Sequence, residues 1–132
     1  MAAETKIMKK IISTNKAPAA IGPYSQAVLS GNILYCSGQI AINPKNGKLV
    51  TDNIIDETTQ VMNNISEILE AAEIDFSNVV KCSIFMKDMG EYTKINDVYS
   101  SYFAENPPAR ESIQVSKLPK NVNVEISVIA VK

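Results

Sequence analysis

Arg110 is the only arginine in the sequence; the other twelve of the 13 Lys+Arg residues (13 − 1 = 12) are lysines. A guanidinium is planar, stays charged and holds a carboxylate or phosphate through two parallel hydrogen bonds, which an ammonium cannot do. The arginine that follows Pro107-Pro108-Ala109 is therefore a candidate anion clamp. A structural ion pair would explain it equally well, and the residue type does not decide between the two.

Glu125 is the carboxylate most easily placed beside this arginine. Side chains alternate along a strand, and residues 110–116 and 123–131 both have strand patterns. If these two strands pair as a hairpin, Arg110 and Glu125 lie on the same polar face. The pair is then either an anion clamp beside a general base or water-holding carboxylate, or a cross-strand ion pair that contributes little.

The composition excludes several kinds of chemistry. The sequence has no histidine, which rules out histidine-based acid–base catalysis, Ser-His-Asp triads and histidine-ligated metals. Cys36 and Cys82 lie in apolar runs without metal-type spacing, so we expect buried thiols and no metal site. The net charge of −1, with acids and bases interleaved, argues against a nucleic-acid partner.

Length and hydropathy set the broad class. The 132 residues, 45% hydrophobic and 20% charged, predict one domain over residues 1–132. No apolar stretch approaches the roughly 20 residues of a membrane span, so we expect no membrane partner. The lysines of residues 1–12 would suit a mitochondrial presequence, but the segment lacks arginine and contains Glu4, which favours a cytoplasmic location.

Hydrophobic periodicity predicts six strands and two helices in the order β-β-β-α-β-α-β-β. The strands are predicted over 9–13, 26–29, 33–37, 79–86, 110–116 and 123–131, and the helices over 53–72, with Asp52 as N-cap, and 91–103. This order indicates an α+β fold with a mixed sheet and both helices on one face. Each helix has a single apolar stripe, so the other face needs solvent or another subunit, which favours oligomerisation.

Four further residues are candidates for a ligand cleft, namely Tyr24, Ser37, Gly38 and Asn96. Tyr24 ends a stiff loop, Ser37 and Gly38 end a strand where a glycine lets a ligand approach the backbone, and Asn96 lies on the second helix. Each also has an ordinary structural explanation: a packing tyrosine, a turn, or a solvated helix residue. The residues by themselves leave both explanations open.

A family resemblance spans nearly the whole chain and is carried by the joint order of several motifs. These are APAAIGPYSQA at 17–27, SGQI at 37–40, NP at 43–44, VVK at 79–81, FMKD at 85–88, PAR at 108–110, LPK at 118–120 and VEI at 124–126. Any one of these motifs is common, but their order and spacing are specific. The sequence resembles the reactive-intermediate deaminase A family, also called YjgF or liver perchloric-acid-soluble protein.

The resemblance implies a chorismate-mutase-like α+β fold, a homotrimer and ligand clefts between subunits. It implies hydrolytic deamination of 2-enamine and 2-imino acids such as 2-aminoacrylate, giving 2-oxo acids and ammonia with no cofactor. Within it, Arg110 corresponds to the arginine that binds the substrate carboxylate, and Glu125 to the glutamate associated with the attacking water. The residues that would line the cleft are Tyr24, Ser37, Gly38 and Asn96.

The chain departs from the family after the arginine, where Ser or Thr and then often Cys are usual. Glu111 and Ser112 stand there instead, so any role of a thiol is lost, while a substrate-binding role of Ser112 through its backbone carbonyl survives. Two other functions stay open. One is a non-catalytic binder or sensor of small carboxylates such as 2-oxo acids; the other is an endoribonuclease or translation inhibitor, an activity ascribed to some relatives that the dispersed lysines disfavour.

Overall fold

The structure, a computed structural model, describes residues 8–132, so most of the lysine-bearing N-terminal segment lies outside the described residues. The predicted order of six strands and two helices is confirmed. The elements are β1 Lys9–Ile12, β2 Ala27–Ser30, β3 Ile33–Gln39, α1 Ile54–Ala71, β4 Val79–Met86, α2 Tyr92–Ser100, β5 Ala109–Gln114 and β6 Val124–Val131.

The six strands form one mixed sheet in the order β1-β2-β3-β6-β4-β5. Only β4 and β5 are parallel, and α2 makes the crossover between them. The hairpin of β5 and β6, considered from the sequence as one possible arrangement, does not form, because β4 lies between them. The physical reason is burial. Alternate residues of β6 are at most 2% exposed, which requires a central strand, whereas β5 has no fully buried residue and takes the edge.

Both helices pack on the same face of the sheet, as predicted. Helix α1 buries Val61, Ile65 and Ile68 completely, and α2 buries Ile95 and Tyr99. These side chains complete one apolar core with the inward residues of β3, β4 and β6. Within the described part of the chain, neither helix is long and apolar enough to cross a bilayer.

The ends of both helices differ from prediction. The N-cap of α1 is Asn53 and not Asp52, because Asn53 is the extended residue whose Oδ1 accepts a 2.8 Å hydrogen bond from the Asp56 amide. Helix α2 ends at Ser100, three residues early. From there the amides of Ser101, Tyr102 and Phe103 donate to carbonyls three residues back, so the chain tightens into a turn.

Glu57 is a fully buried carboxylate that the sequence pattern did not single out. It lies on α1 and accepts hydrogen bonds from the Asn123 amide (2.7 Å), the Asn123 side chain (2.7 Å) and the Val124 amide (3.2 Å). These bonds satisfy donors at the point where β6 begins. Glu57 therefore fixes the start of the strand that carries Glu125 one residue further on.

The face of the sheet opposite the helices carries exposed apolar side chains. Ile11 is 50% exposed, Tyr35 49% and Ile113 42%, and they belong to strands that together cross the whole sheet. The same face also carries the Lys81–Glu111 ion pair, so it is a mixed surface on which exposed apolar residues lie among polar groups. This open face agrees with the expectation that another subunit covers it, which stays a prediction.

Candidate functional site

Arg110 is the second residue of β5, and its side chain lies against α2. Its NH1 donates to Asn96 Oδ1 at 2.7 Å and its NH2 donates to the Tyr92 hydroxyl at 2.6 Å. The guanidinium carbon lies 4.9 Å from the ring centroid of Tyr99, so the buried aromatic ring forms its floor. A cavity of about 450 Å³ opens beside Arg110 and is also lined by Asn96, Tyr99 and Phe103, but not by Tyr92.

The groups that hold Arg110 are all neutral. The ion pairs within residues 8–132 join Lys81 to Glu111 and Lys132 to Glu73, and none includes Arg110. The structural ion pair considered for Arg110 is therefore absent from the described residues. The half-buried guanidinium therefore keeps spare N–H donors that no described carboxylate occupies, and its role as an anion clamp stays a prediction.

Glu125 lies in a different cleft, of about 600 Å³, which is also lined by Tyr24, Ser37 and Gly38. Its carboxyl group packs directly on the backbone of Gly38. A Cβ atom at position 38 would lie 2.8 Å from Glu125 Cδ and 2.9 Å from Oε2. The register between β3 and β6 shifts between Cys36 and Gln39, which places the glycine under this side chain. Only a residue without a side chain leaves the carboxyl group this position.

Burial raises the pKa of the Glu125 carboxyl above its ordinary value. The folded protein therefore keeps this proton at pH values where the unfolded chain has lost it, and stability falls as the pH rises through that interval. At pH 7 the ionised Glu125 carboxylate therefore lowers the free energy of unfolding. A carboxyl group with a raised pKa also accepts a proton more readily than an ordinary glutamate.

We expect Glu125→Gln to raise the melting temperature at pH 7, because an amide fills the same space without an ionised form. The gain should disappear as the pH falls to about 3, where the carboxyl is protonated in both states. Glu111→Gln is the control of opposite sign, since hydrogen bonding from Ser83 and then Lys81 lowers the pKa of Glu111. That variant should be less stable than wild type at pH 7, and the difference should shrink as the pH falls below the ordinary glutamate pKa of about 4.3. Melting curves from about pH 3 to pH 8 measure both, and equal effects would contradict the prediction.

Arg110 and Glu125 lie on opposite faces of the sheet, so the shared polar face that a β5–β6 hairpin would have given them does not exist. Cys82 is the register partner of both Arg110 and Val128, which places Arg110 on the helix side. Phe85 is the partner of both Glu125 and Ile113, which places Glu125 on the open side. The intervening strand β4 causes this separation, because it sets the two registers independently.

The predicted site residues thus form two groups. Asn96 joins Arg110, while Tyr24, Ser37 and Gly38 join Glu125. The Ser37 hydroxyl donates to the Ser25 carbonyl at 2.6 Å, so that side chain already has a structural bond. Tyr24 is 55% exposed, and its ring borders the cleft.

Ser112 joins neither group through its side chain. Its hydroxyl points to the helix side of the sheet, is buried, and has no hydrogen-bond partner among residues 8–132. It borders neither the Arg110 cavity nor the Glu125 cleft. The side chain therefore offers nothing to a ligand in this arrangement, and only a role of its backbone carbonyl is left as a prediction.

Three residues of the two groups were not among the candidates named from the sequence. Two of them, Tyr92 and Tyr99, contact the guanidinium directly. Their spacing from Asn96 could have identified them, because residues three and four positions apart lie on the same face of a helix. Lys120 borders the Glu125 cleft in a left-handed conformation (φ 54°), and no local pattern marked that conformation.

The described residues do not assemble a metal centre. Within residues 8–132, no three His, Cys, Asp or Glu side chains come together in a way that could hold an ion. Cys36 and Cys82 both pair with Val128, one from each side, so two strand spacings of about 4.8 Å separate them. That distance exceeds the reach of a disulfide, and both thiols are free and buried.

Comparison with known protein families assigns most of the chain to one family. The family model described as Endoribonuclease L-PSP matches residues 14–132. A RutC family protein of Pyrococcus horikoshii is 50% identical over 125 residues, covering 95% of this chain and 99% of the relative. A protein of Capra hircus named 2-iminobutanoate/2-iminopropanoate deaminase is 48% identical over 128 residues, covering 97% of this chain and 93% of the relative.

Solved structures share the same fold. A Yersinia pestis protein of the Rid family, described as of unknown function, has a TM-score of 0.93 at 45% identity, covering 95% of this chain and 100% of that one. Escherichia coli TdcF with bound serine has a TM-score of 0.89 at 37% identity, covering 93% of this chain and 98% of that one. The resemblance predicted from the motifs is confirmed, and the chain belongs to the L-PSP family, which includes the YjgF, RutC and Rid proteins.

Proposed function

We propose that this protein is a hydrolytic deaminase of 2-imino acids and their enamine tautomers, such as 2-aminoacrylate. The observation that carries the proposal is the charge of Arg110, which neutral side chains orient and no described carboxylate neutralises. A small carboxylate-bearing substrate supplies the missing anion. Support also comes from the relatives that are named deaminases of this kind and from the similar protein with bound serine, itself a carboxylate.

The proposed reaction needs one group that binds the substrate carboxylate and one group that accepts and returns a proton. The enamine tautomerises to the imine, and Arg110 holds its carboxylate through two hydrogen bonds. A water molecule forms the new C–O bond at the imine carbon and passes a proton to Glu125, while the nitrogen takes up a proton from solvent. Glu125 then returns its proton to the nitrogen as the C–N bond breaks, and the hydroxyl group loses its proton to solvent as the C=O bond forms, releasing ammonia and the 2-oxo acid. The reaction is a hydrolysis, so no electrons are exchanged and no cofactor is required.

The opposite placement of Arg110 and Glu125 bears on where this reaction takes place. One chain cannot bring both side chains to one substrate, because the sheet lies between them. We therefore propose that the working site lies between copies, with the Arg110 group of one chain facing the Glu125 group of its neighbour. The exposed apolar side chains of the open face support such an association, and the family resemblance implies that three copies assemble.

Mixing two inactive variants tests this shared site. If random assemblies form from equal amounts of Arg110→Lys and Glu125→Gln chains, about one quarter of the sites contain both native residues, so about one quarter of wild-type activity should return. The control mixes Arg110→Lys chains with chains carrying both substitutions, which restores no complete site. No recovery in assemblies shown by native mass spectrometry to be mixed would contradict a site built from two copies.

The reaction itself is tested by generating 2-aminoacrylate in solution with a pyridoxal-phosphate-dependent serine dehydratase and following its decay. We expect the protein to accelerate formation of pyruvate and ammonia in proportion to its concentration. Binding of 2-oxobutyrate without any acceleration would instead identify a carboxylate sensor. Cleavage of RNA by metal-free protein, with no effect on 2-aminoacrylate, would support the ribonuclease function in the family description.

A further inference from the structure

We propose that the Tyr92 hydroxyl is a second hydrogen-bond donor to the substrate carboxylate, beside Arg110, and that it contributes to specificity for carboxylate-bearing imines. The inference rests on the proposed function and adds one residue to it. Tyr92 is the first residue of α2, four positions before Asn96, so both side chains reach the guanidinium from the same side of the helix.

The hydrogen bond between Arg110 and Tyr92 determines which further hydrogen bonds the Tyr92 hydroxyl can make. Arg110 NH2 donates to the Tyr92 oxygen at 2.6 Å, so one lone pair of that oxygen is occupied. A phenol also carries one proton that it can donate. Within residues 8–132 the Tyr92 hydroxyl has no other hydrogen bond, and a guanidinium has no acceptor to receive that proton. The O–H bond therefore points away from Arg110 and toward solvent.

The remaining donors converge on the same place. Asn96 and Tyr92 use two of the five N–H groups of Arg110, which leaves three for a ligand. A carboxylate bound by the free N–H of NH2 lies next to the Tyr92 oxygen and within reach of its proton. Tyr92 is 36% exposed, while Tyr99 beneath the guanidinium is 4% exposed, so the guanidinium is accessible to a ligand on the Tyr92 side, outside the cavity lined by Asn96 and Tyr99.

This arrangement acts on the carboxylate end of the substrate and not on the carbon that reacts. The hydrogen bond would be present in the bound substrate and in the transition state alike, which lowers KM without changing kcat. It would also discriminate against neutral imines, because a carboxylate oxygen accepts a much stronger hydrogen bond than a neutral group.

The test is Tyr92→Phe, which removes the hydroxyl and keeps the ring against Arg110. We expect KM for 2-aminoacrylate and the calorimetric Kd for 2-oxobutyrate, a non-reacting carboxylate, each to rise about tenfold, with kcat within about twofold of wild type. The matched control is Tyr102→Phe, whose hydroxyl donates to Asn63 Oδ1 at 3.2 Å. That variant should leave both constants unchanged.

The outcomes separate this inference from the function on which it rests. If Tyr92→Phe matches wild type in KM and Kd while wild type is active, the donor role is overturned and the deaminase function stands. A fall in kcat with unchanged KM would also overturn it, because the hydroxyl would then act in the reacting step or only by orienting Arg110. If wild type neither binds 2-oxobutyrate nor turns over 2-aminoacrylate, both proposals fall.

Discussion

Arg110→Lys is expected to lower kcat/KM for 2-aminoacrylate about a thousandfold while the fold persists. Lysine keeps the positive charge but offers a single ammonium, which cannot bind a carboxylate through two parallel bonds while also donating to Asn96 and Tyr92. The loss is therefore one of geometry and not of charge. Steady-state kinetics with 2-aminoacrylate generated in solution measure it, and far-ultraviolet circular dichroism checks the fold.

The control for this variant removes a charge without touching the clamp. Lys94 lies on the same helix and is exposed, and it does not border the Arg110 cavity, so Lys94→Gln should leave kcat/KM unchanged. If Arg110→Lys retained near-wild-type activity, the assignment of Arg110 to the substrate carboxylate would be wrong. Equal losses in the two variants would point instead to a general effect of surface charge.

Gly38→Ala is expected to lower kcat/KM about a hundredfold, because a small displacement of a catalytic group has effects of this size. The added Cβ would lie 2.8 Å from Glu125 Cδ, so the carboxyl group must leave the cleft wall. Gly38 does not have a left-handed φ, so alanine strains only the contact with Glu125. The activity should therefore fall much more than the stability, and kinetics and thermal unfolding of the same sample measure both.

Gly31→Ala should show the reverse. Gly31 has φ +60° in the β2–β3 turn, and a methyl group added there would meet nothing within 4 Å, so alanine strains the backbone alone. We expect a loss of about 1 kcal/mol in the free energy of unfolding and unchanged kinetics. An unchanged kcat/KM in Gly38→Ala would show that the position of the Glu125 carboxyl does not control the reaction.

Hydrophobic periodicity predicted the elements well because each of them has one clearly buried side. The strand over 79–86 matches β4 residue for residue, and the remaining strands and helices differ only at their ends. Those ends depend on single hydrogen bonds, such as the one from the Asp56 amide to Asn53, which neighbouring polar residues could equally have made.

Strand order was harder to predict because it depends on contacts distant in sequence. The direct succession of β5 and β6 along the chain made a hairpin the simplest arrangement, yet β6 lies between β3 and β4. The alternation of polar residues identified Arg110 and Glu125 individually as candidates. It could not relate their two faces, since that relation passes through β4, to which Cys82 and Phe85 belong.

The partners of the site residues were the least visible in the sequence. The lone arginine was conspicuous, but Tyr92 was not, because a tyrosine at the start of an amphipathic helix is usually a packing residue. Glu57 was also missed, because a carboxylate in the first turn of a helix is normally explained by the helix dipole. Only the tertiary structure shows that it binds the backbone at the start of β6.

The separation of Arg110 and Glu125 by the sheet has a kinetic consequence. If each working site needs two chains, specific activity is not a constant of the protein but a function of its concentration. Dilution below the dissociation constant of the assembly would inactivate the shared sites without unfolding any chain. An assay at nanomolar protein would then show a lag or an upward curvature, and the concentration of half-maximal specific activity would report the strength of the subunit contact.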